Sequence, residues 1–156
     1  MKISVVTVSY NSCRTIEDTI LSVISQANAN FEHIIIDGGS TDATQSILDK
    51  YRMHFSHVVV EKDNGIYDAM NKGIGLSSGD VICFLNSDDA FFDNDVLSRV
   101  SLEFSNNSNV GAVLSNVVQA SNGNIKRLVS SEFFAPWKMR FGFNPPHPGI
   151  FLRSSV

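Results

Sequence analysis

The chain has 156 residues, a net charge of −4, 43% apolar residues and 18% charged residues, which gives one domain over residues 1–156 with enough apolar side chains for a core. That composition, with ten glycines and four prolines, excludes disorder, collagen and coiled coil. The acidic balance sets aside a nucleic-acid partner, because gripping phosphates requires a basic face.

Residues 3–8 are rich in β-branched side chains and predict a strand, followed by a Ser9-Tyr10-Asn11-Ser12 loop and a helix whose apolar face is Ile16, Ile20, Val23 and Ile24. The pattern repeats with a strand over 33–36, a break at Asp37-Gly38-Gly39-Ser40-Thr41-Asp42, and a helix carrying Ile47, Leu48 and Tyr51. Ser40 or Thr41 is the expected cap of that helix. A third strand is predicted over 57–61, a third helix over 66–76, with Gly73, Gly75 and Gly79 at its end and turn, and an almost wholly apolar fourth strand over 81–85, as expected of a strand covered on both faces. Beyond Asp95 the sequence predicts a helix over 96–104, a strand over 111–119, a tight Asn-Gly turn within 121–124 and a strand over 125–129. Alternating strands and helices imply an α/β fold with a mostly parallel, Rossmann-like central sheet, helices on both faces, and mixed pairing toward the C-terminal part.

No apolar run reaches the ~20 residues of a membrane helix. The opening Met1-Lys2-Ile3-Ser4-Val5-Val6 meets polar Tyr10-Asn11 too soon for a signal peptide, so the expectation is a soluble, cytoplasmic protein. Cys13 and Cys83 are the two cysteines, and Cys83 lies within Val81-Ile82-Cys83-Phe84-Leu85 as a buried thiol, which excludes a disulfide framework and a cysteine-rich metal site. Eight of the sixteen acids fall between Glu61 and Asp95, whereas residues 120–156 hold five bases and one acid, Glu132. The first region suits a cation and the second an anion.

In an open parallel sheet, ligands bind beyond the carboxyl ends of the strands. The loops at that edge read Ser9-Tyr10-Asn11, Asp37-Gly38-Gly39-Ser40, Lys62-Asp63-Asn64-Gly65 and Asn86-Ser87-Asp88-Asp89, so polar and acidic stretches from four strands converge. The adjacent carboxylates of Asp88 and Asp89 repel each other unless protonated or bridged, and Mg²⁺ or Mn²⁺ is the natural bridge, with phosphate completing its shell. An Asp-Asp pair alone also serves as a helix or turn cap. P-loop, dinucleotide, nucleophile-elbow and H-E-x-x-H patterns are all missing. His33 and His57 open apolar strands and read as structural or exposed. His147, held in Pro145-Pro146-His147-Pro148-Gly149, is either aimed at a site or part of a surface turn.

Taken together, Ser4-Val5-Val6-Thr7-Val8-Ser9-Tyr10-Asn11, Ile34-Ile35-Ile36-Asp37-Gly38-Gly39-Ser40-Thr41-Asp42, Asp63-Asn64-Gly65-Ile66-Tyr67-Asp68-Ala69-Met70-Asn71-Lys72-Gly73-Ile74 and Ser78-Gly79-Asp80-Val81-Ile82-Cys83-Phe84-Leu85-Asn86-Ser87-Asp88-Asp89 resemble the nucleotide-sugar-dependent family 2 glycosyltransferases of the GT-A fold. The resemblance is strong to about Asp95 and weak after it. It implies a nucleotide-sugar-binding half over 1–95 and the start of an acceptor half over 96–156. Val8, Ser9, Tyr10, Asp37, Asn64, Lys72, Ser87 and Asp88 are the nucleotide-binding residues it implies, with Tyr10 stacking on the base and Asp88 near ribose or diphosphate. Asp89 and His147 are the expected metal ligands. Two departures stand out: Gly38 replaces an acid that helps read the base, and Met70 replaces an Arg before Asn71, leaving Lys72 as the nearby cation. UDP is the default nucleotide.

The resemblance further implies inverting transfer, in which a carboxylate deprotonates an acceptor hydroxyl and a metal stabilises the departing diphosphate. Relatives carry the candidate base tens of residues past the segment that 147–153 resembles, so the base is expected beyond residue 156 and the chain is expected to be truncated. The expected function is a sugar transferase for cell-surface polysaccharide acting on a glycan or lipid-linked acceptor. Two other readings stand beside it, a non-catalytic nucleotide-sugar-binding module and a metal-dependent nucleotidyltransferase, the latter supported only by Arg14 near the first loop. Lys126, Arg127, Lys138, Arg140 and Arg153, with Trp137 and Phe141 between charges, suit peripheral contact with the inner membrane face or equally a solvated face over an aromatic cluster. Apolar surface left by truncation is a place for homodimerisation.

Overall fold

A computed structural model describes residues 1–121, 124–142 and 144–155. In chain order the elements are β1 (Lys2–Ser9), α1 (Ile16–Ile24), β2 (Asn30–Asp37), α2 (Thr44–Lys50), β3 (His57–Val60), α3 (Ile66–Leu76), β4 (Val81–Phe84), α4 (Val96–Asn106), β5 (Ala112–Leu114), β6 (Val117–Ser121), β7 (Asn124–Val129) and β8 (Ile150–Arg153). Short 3-10 turns cover Arg52–His54, Pro136–Phe141 and His147–Gly149.

Six strands form one sheet in the order β3-β2-β1-β4-β8-β5. The pairs β3-β2, β2-β1 and β1-β4 are parallel, whereas β8 runs antiparallel to both β4 and β5. The strand order reverses between β1 and β4, and such a switch point opens a crevice at the carboxyl ends of the two strands.

β1 is a run of β-branched residues because both its faces are covered. On one face Val6 and Val8 pack with Ile34, Ile36 and the α3 residues Ala69 and Met70. On the other, Ile3 and Val5 meet Val23 of α1, Leu97, Val100 and Phe104 of α4, and Phe151 of β8. Beside them Ile16 and Ile20 of α1 pack on Ile35, Leu48 and Phe55. Each fully buried aliphatic or aromatic side chain contributes roughly 1.5–3 kcal/mol to the folded state, so the strands that carry the loops are rigid supports.

Three local expectations change in three dimensions. The strand predicted over 111–119 divides at Ser115 and Asn116 into β5, in the main sheet, and β6, which pairs with β7 in a separate two-stranded ribbon. Ser115 N–H donates to Gly149 O at 2.7 Å and Ser115 O accepts from Ser131 Oγ at 2.8 Å, so tertiary partners turn the chain there. The mixed pairing therefore comes from β8 and β5 and not from the hairpin. The residues Asn122 and Gly123 of the predicted turn lie outside the described residues, but Ser121 and Asn124 on either side are paired.

Neither Ser40 nor Thr41 caps α2, which starts at Thr44; Asp42 Oδ1 instead accepts the Thr44 N–H at 3.0 Å. Gly73 lies in the last turn of α3, as expected. A Cβ there would run into Val6, so the missing side chain lets α3 settle on β1. His33 is buried, bonded to Thr7 Oγ1 at 2.9 Å and set edge-on to Phe55, and burial pushes its pKa down to about 3. His57 is exposed, and the Cys83 thiol is buried and pushed up by that burial. No described helix is long and apolar enough to cross a membrane.

Candidate functional site

The carboxyl edge of β1–β4 opens into a cleft of about 1270 Å³. Val8, Ser9 and Tyr10 line it from β1, Gly38 and Gly39 from β2, Asp63 and Gly65 from the loop before α3, and Asn86, Ser87 and Asp88 from the loop after β4. All four predicted loops therefore meet at one place.

Side-chain bonds fix these loops to one another. Ser40 Oγ accepts the Asn11 N–H at 2.8 Å while Asn11 Oδ1 accepts the Thr41 N–H at 2.9 Å, joining the first two loops. Asn11 itself has a φ of 49°, a left-handed conformation that Asn tolerates. Ser12 Oγ and Ser87 Oγ lie 2.7 Å apart, joining the first and fourth, and Thr19 Oγ1 of α1 donates to Asp89 O at 2.7 Å.

Tyr10 is 63% exposed on the cleft wall. Asp37 is in a different situation: it is fully buried and its two oxygens accept from Ser9 Oγ at 2.7 Å, Ser40 Oγ at 2.6 Å, Ser40 N at 2.7 Å and Gly39 N at 3.2 Å. Those bonds use its acceptor capacity to hold the second loop in shape. Asn64 is exposed just off the cleft lining, its N–H bonded to Asp68 Oδ2 at 3.0 Å. Lys72 also stands off the lining, ion-paired with Glu61 at 2.8 Å and Asp68 at 3.5 Å. Its pKa is raised, chiefly by the Glu61 bond.

Ser87 is buried at the floor and Asp88 is exposed at the cleft surface. Asp89 is half-buried beside it, with Oδ2 accepting from Asn86 Nδ2 at 3.2 Å. Burial, and then the neighbouring charge of Asp88, raise the Asp89 pKa. His147 is exposed and opens the 3-10 turn that packs on β4. His147 is not among the residues that line the cleft, and the described structure does not gather it with Asp88 and Asp89.

Among the described residues no three His, Cys, Asp or Glu side chains gather as a closed metal cage. The open set at the β4 loop nonetheless fits Mg²⁺ or Mn²⁺. Asp88 and Asp89 provide hard oxygens, and Asn86 Oδ1 is buried and accepts no hydrogen bond from the described residues. Such ions take one or two carboxylates and leave other positions to water and phosphate.

Asp63, Asp42 and Lys62, to which the resemblance gives no role, also line the cleft, as does Arg14, the cation near the first loop. The signal for Asp63 is Gly38, whose missing side chain makes room for it.

A family model for glycosyl transferase family 2 matches residues 4–153. The chain belongs to glycosyl transferase family 2. TuaG of Bacillus subtilis, a glycosyltransferase named for teichuronic acid biosynthesis, is 41% identical over 92 residues, covering 56% of this chain and 36% of TuaG. The S. aureus TarS structure in complex with UDP-GlcNAc superposes with a TM-score of 0.80 at 22% identity, over 99% of this chain and 46% of that one. The Pyrobaculum calidifontis mannosyltransferase PcManGT, solved with GDP-Man and Mn²⁺, gives 0.67 at 22% identity over 75% of this chain and 35% of that one. These structures establish the GT-A fold for this family 2 chain. The chain spans well under half the length of the curated relatives it matches.

Proposed function

We propose that the cleft holds the nucleotide of a nucleotide-diphosphate sugar, UDP-sugar by default, and that the protein is an inverting glycosyltransferase for a glycan or lipid-linked acceptor in cell-surface polysaccharide synthesis. The observation that carries this reading is the convergence of four loops, three of them bonded to one another, on one cleft in a family 2 chain. The names of TuaG and of the UDP-GlcNAc complex of TarS support the substrate class.

Tyr10 stacks on the base, Val8 and Ser9 form the wall beneath it, and Asn64 and Lys72 bound its outer side. Asp37 acts through the loop it shapes. Ser87 and Asp88 face ribose and diphosphate. Asp88, Asp89 and Asn86 would hold Mg²⁺ or Mn²⁺, which when bound supplies positive charge for the diphosphate leaving group. No residue of the chain is assigned as the base that deprotonates the acceptor.

The segment Pro136–Phe141 is proposed as the contact with an anionic membrane face at which a lipid-linked acceptor would sit. Phe133, Trp137 and Phe141 are exposed there, and Lys138 Nζ lies 5.8 Å from the Trp137 ring centre. Aromatic and basic side chains together favour an interfacial position.

Calorimetric titration of UDP, GDP and dTDP with and without Mn²⁺ tests the reading. It predicts metal-dependent binding of at least one nucleotide, lost in Asp89→Ala; binding of none would overturn it. Binding without transfer of sugar to any acceptor would favour the nucleotide-sugar-binding module, the second reading that the unassigned base supports.

A further inference from the structure

The position next to Asp37 in the second loop is Gly38, and the space its side chain would fill is occupied. A Cβ built on Gly38 would lie 2.7 Å from Asp63 Oδ2, 3.3 Å from Asp63 Cγ and 3.4 Å from Tyr10 Cδ2. The carboxylate of the third loop and the ring of the first therefore meet over a glycine of the second. Gly38 is itself fixed, its N–H donating to Ser9 O at 2.9 Å.

The two oxygens of Asp63 have different occupations. Oδ1 accepts the Gly65 N–H at 2.9 Å, which orients the group. Oδ2 accepts no hydrogen bond from the described residues and stands at the cleft surface beside the Tyr10 ring. Asp37, one of the residues implied for nucleotide binding, has no such capacity, because its oxygens are buried under four bonds. Asp42 is held by Thr44 and Cys13. Asp63 thus presents the acceptor that a base lying on Tyr10 meets at its edge.

We propose that Asp63 is the base-reading residue of the cleft, its Oδ2 accepting the imino N–H on the Watson–Crick edge of a base stacked on Tyr10. The proposal rests on the nucleotide reading of the cleft given above. It adds the class of base: uracil and guanine carry an imino N–H at that edge, whereas cytosine and adenine carry a lone pair there and would face a carboxylate with no proton between them. A hydrogen bond to a charged group of about 1.5–3 kcal/mol corresponds to roughly tenfold to a hundredfold in affinity.

The test is calorimetric titration of UDP against CDP, and of GDP against ADP, all with Mn²⁺, on the wild-type chain, Asp63→Asn and Gly38→Ala. Each pair has bases of equal size and differs at the imino position. The wild type is expected to bind UDP or GDP at least tenfold more tightly than its partner. Asp63→Asn is expected to shrink that ratio to below about threefold, since an amide can donate as well as accept. Gly38→Ala, which keeps every charge but pushes the carboxylate aside, is expected to shrink it too, and carries the test should Asp63→Asn fail to fold. A wild type without the preference, or a ratio unchanged in the variants, would overturn the role of Asp63 while leaving nucleotide binding intact. Failure of all four diphosphates to bind the wild type would instead overturn the nucleotide reading itself.

Discussion

The two ends of the same parallel strands are finished in opposite ways. At the amino end Glu32 is buried and its oxygens are fully engaged, by Lys2 Nζ at 2.7 Å, Ser4 Oγ at 2.6 Å and Ser78 N at 2.7 Å. Gly79 closes that end, its N–H donating to Ser4 Oγ at 2.9 Å. At the carboxyl end Asp37 is equally satisfied, yet around it, among the described residues, Asp63 Oδ2 stands open at the cleft surface, Asn86 Oδ1 is buried without a partner and Asp89 shares its space with Asp88; the other buried atom without a partner is Nδ1 of His33, next to Glu32 in β2. Buried polar groups left open cost stability. The carboxylate of the amino edge is thus closed by its neighbours, whereas the side chains of the carboxyl edge keep bonding capacity for a ligand, and the two roles are separated along the strands.

That separation is broken most forcefully at Gly79. A Cβ there would lie 2.7 Å from Ser4 N and 2.9 Å from Lys2 O, both main-chain atoms of a buried strand. Gly79→Ala is expected to lower unfolding stability by about 3 kcal/mol, seen as a lower urea midpoint. The next largest effect is at Glu32. Burial alone would raise its pKa, but the bonds from Lys2, Ser4 and Ser78 prevail and bring it from 4.5 down to about 2. Because the folded value lies below the unfolded one, its contribution is complete above pH 4.5 and disappears as the pH falls toward 2. Urea unfolding across that window should show a loss on the order of 3 kcal/mol in the wild type, and a flatter profile starting from lower stability in Glu32→Gln.

The open edge should answer in the reverse sense. Asp88→Asn is expected to leave stability within about 0.5 kcal/mol of the wild type, because the carboxylate is exposed, while weakening metal-supported nucleotide binding roughly tenfold in calorimetry. The smallest effect on the fold belongs to Trp137→Ala, at a side chain 62% exposed. Its thermal midpoint should hardly move, and its signature is reduced sedimentation with anionic vesicles.

The fold was largely legible because periodicity reports burial. β1, β2, β4 and α3 read directly from their apolar spacing, and α3 has the predicted bounds. The division of 111–119 was not legible, since the bonds that bend the chain at Ser115 come from Gly149 and Ser131, distant in sequence. The α2 cap failed for a related reason: Ser40 Oγ is already committed to Asp37 and Asn11. In the site, the convergence of the four loops was legible from their order. The exchange of positions between a pinned Asp37 and an open Asp63 was not, because it depends on a space above Gly38 that only the packed loops define.

The most direct test of the central claim, that the ligand edge is the carboxyl end of β1–β4, is an amide NMR map of the ¹⁵N-labelled chain with UDP and substoichiometric Mn²⁺. The account predicts paramagnetic broadening centred on Asn86, Asp88 and Asp89, with UDP-induced shifts at Tyr10, Gly38 and Asp63. Broadening centred on Glu32 and Ser78, or shifts confined to β6 and β7, would contradict it.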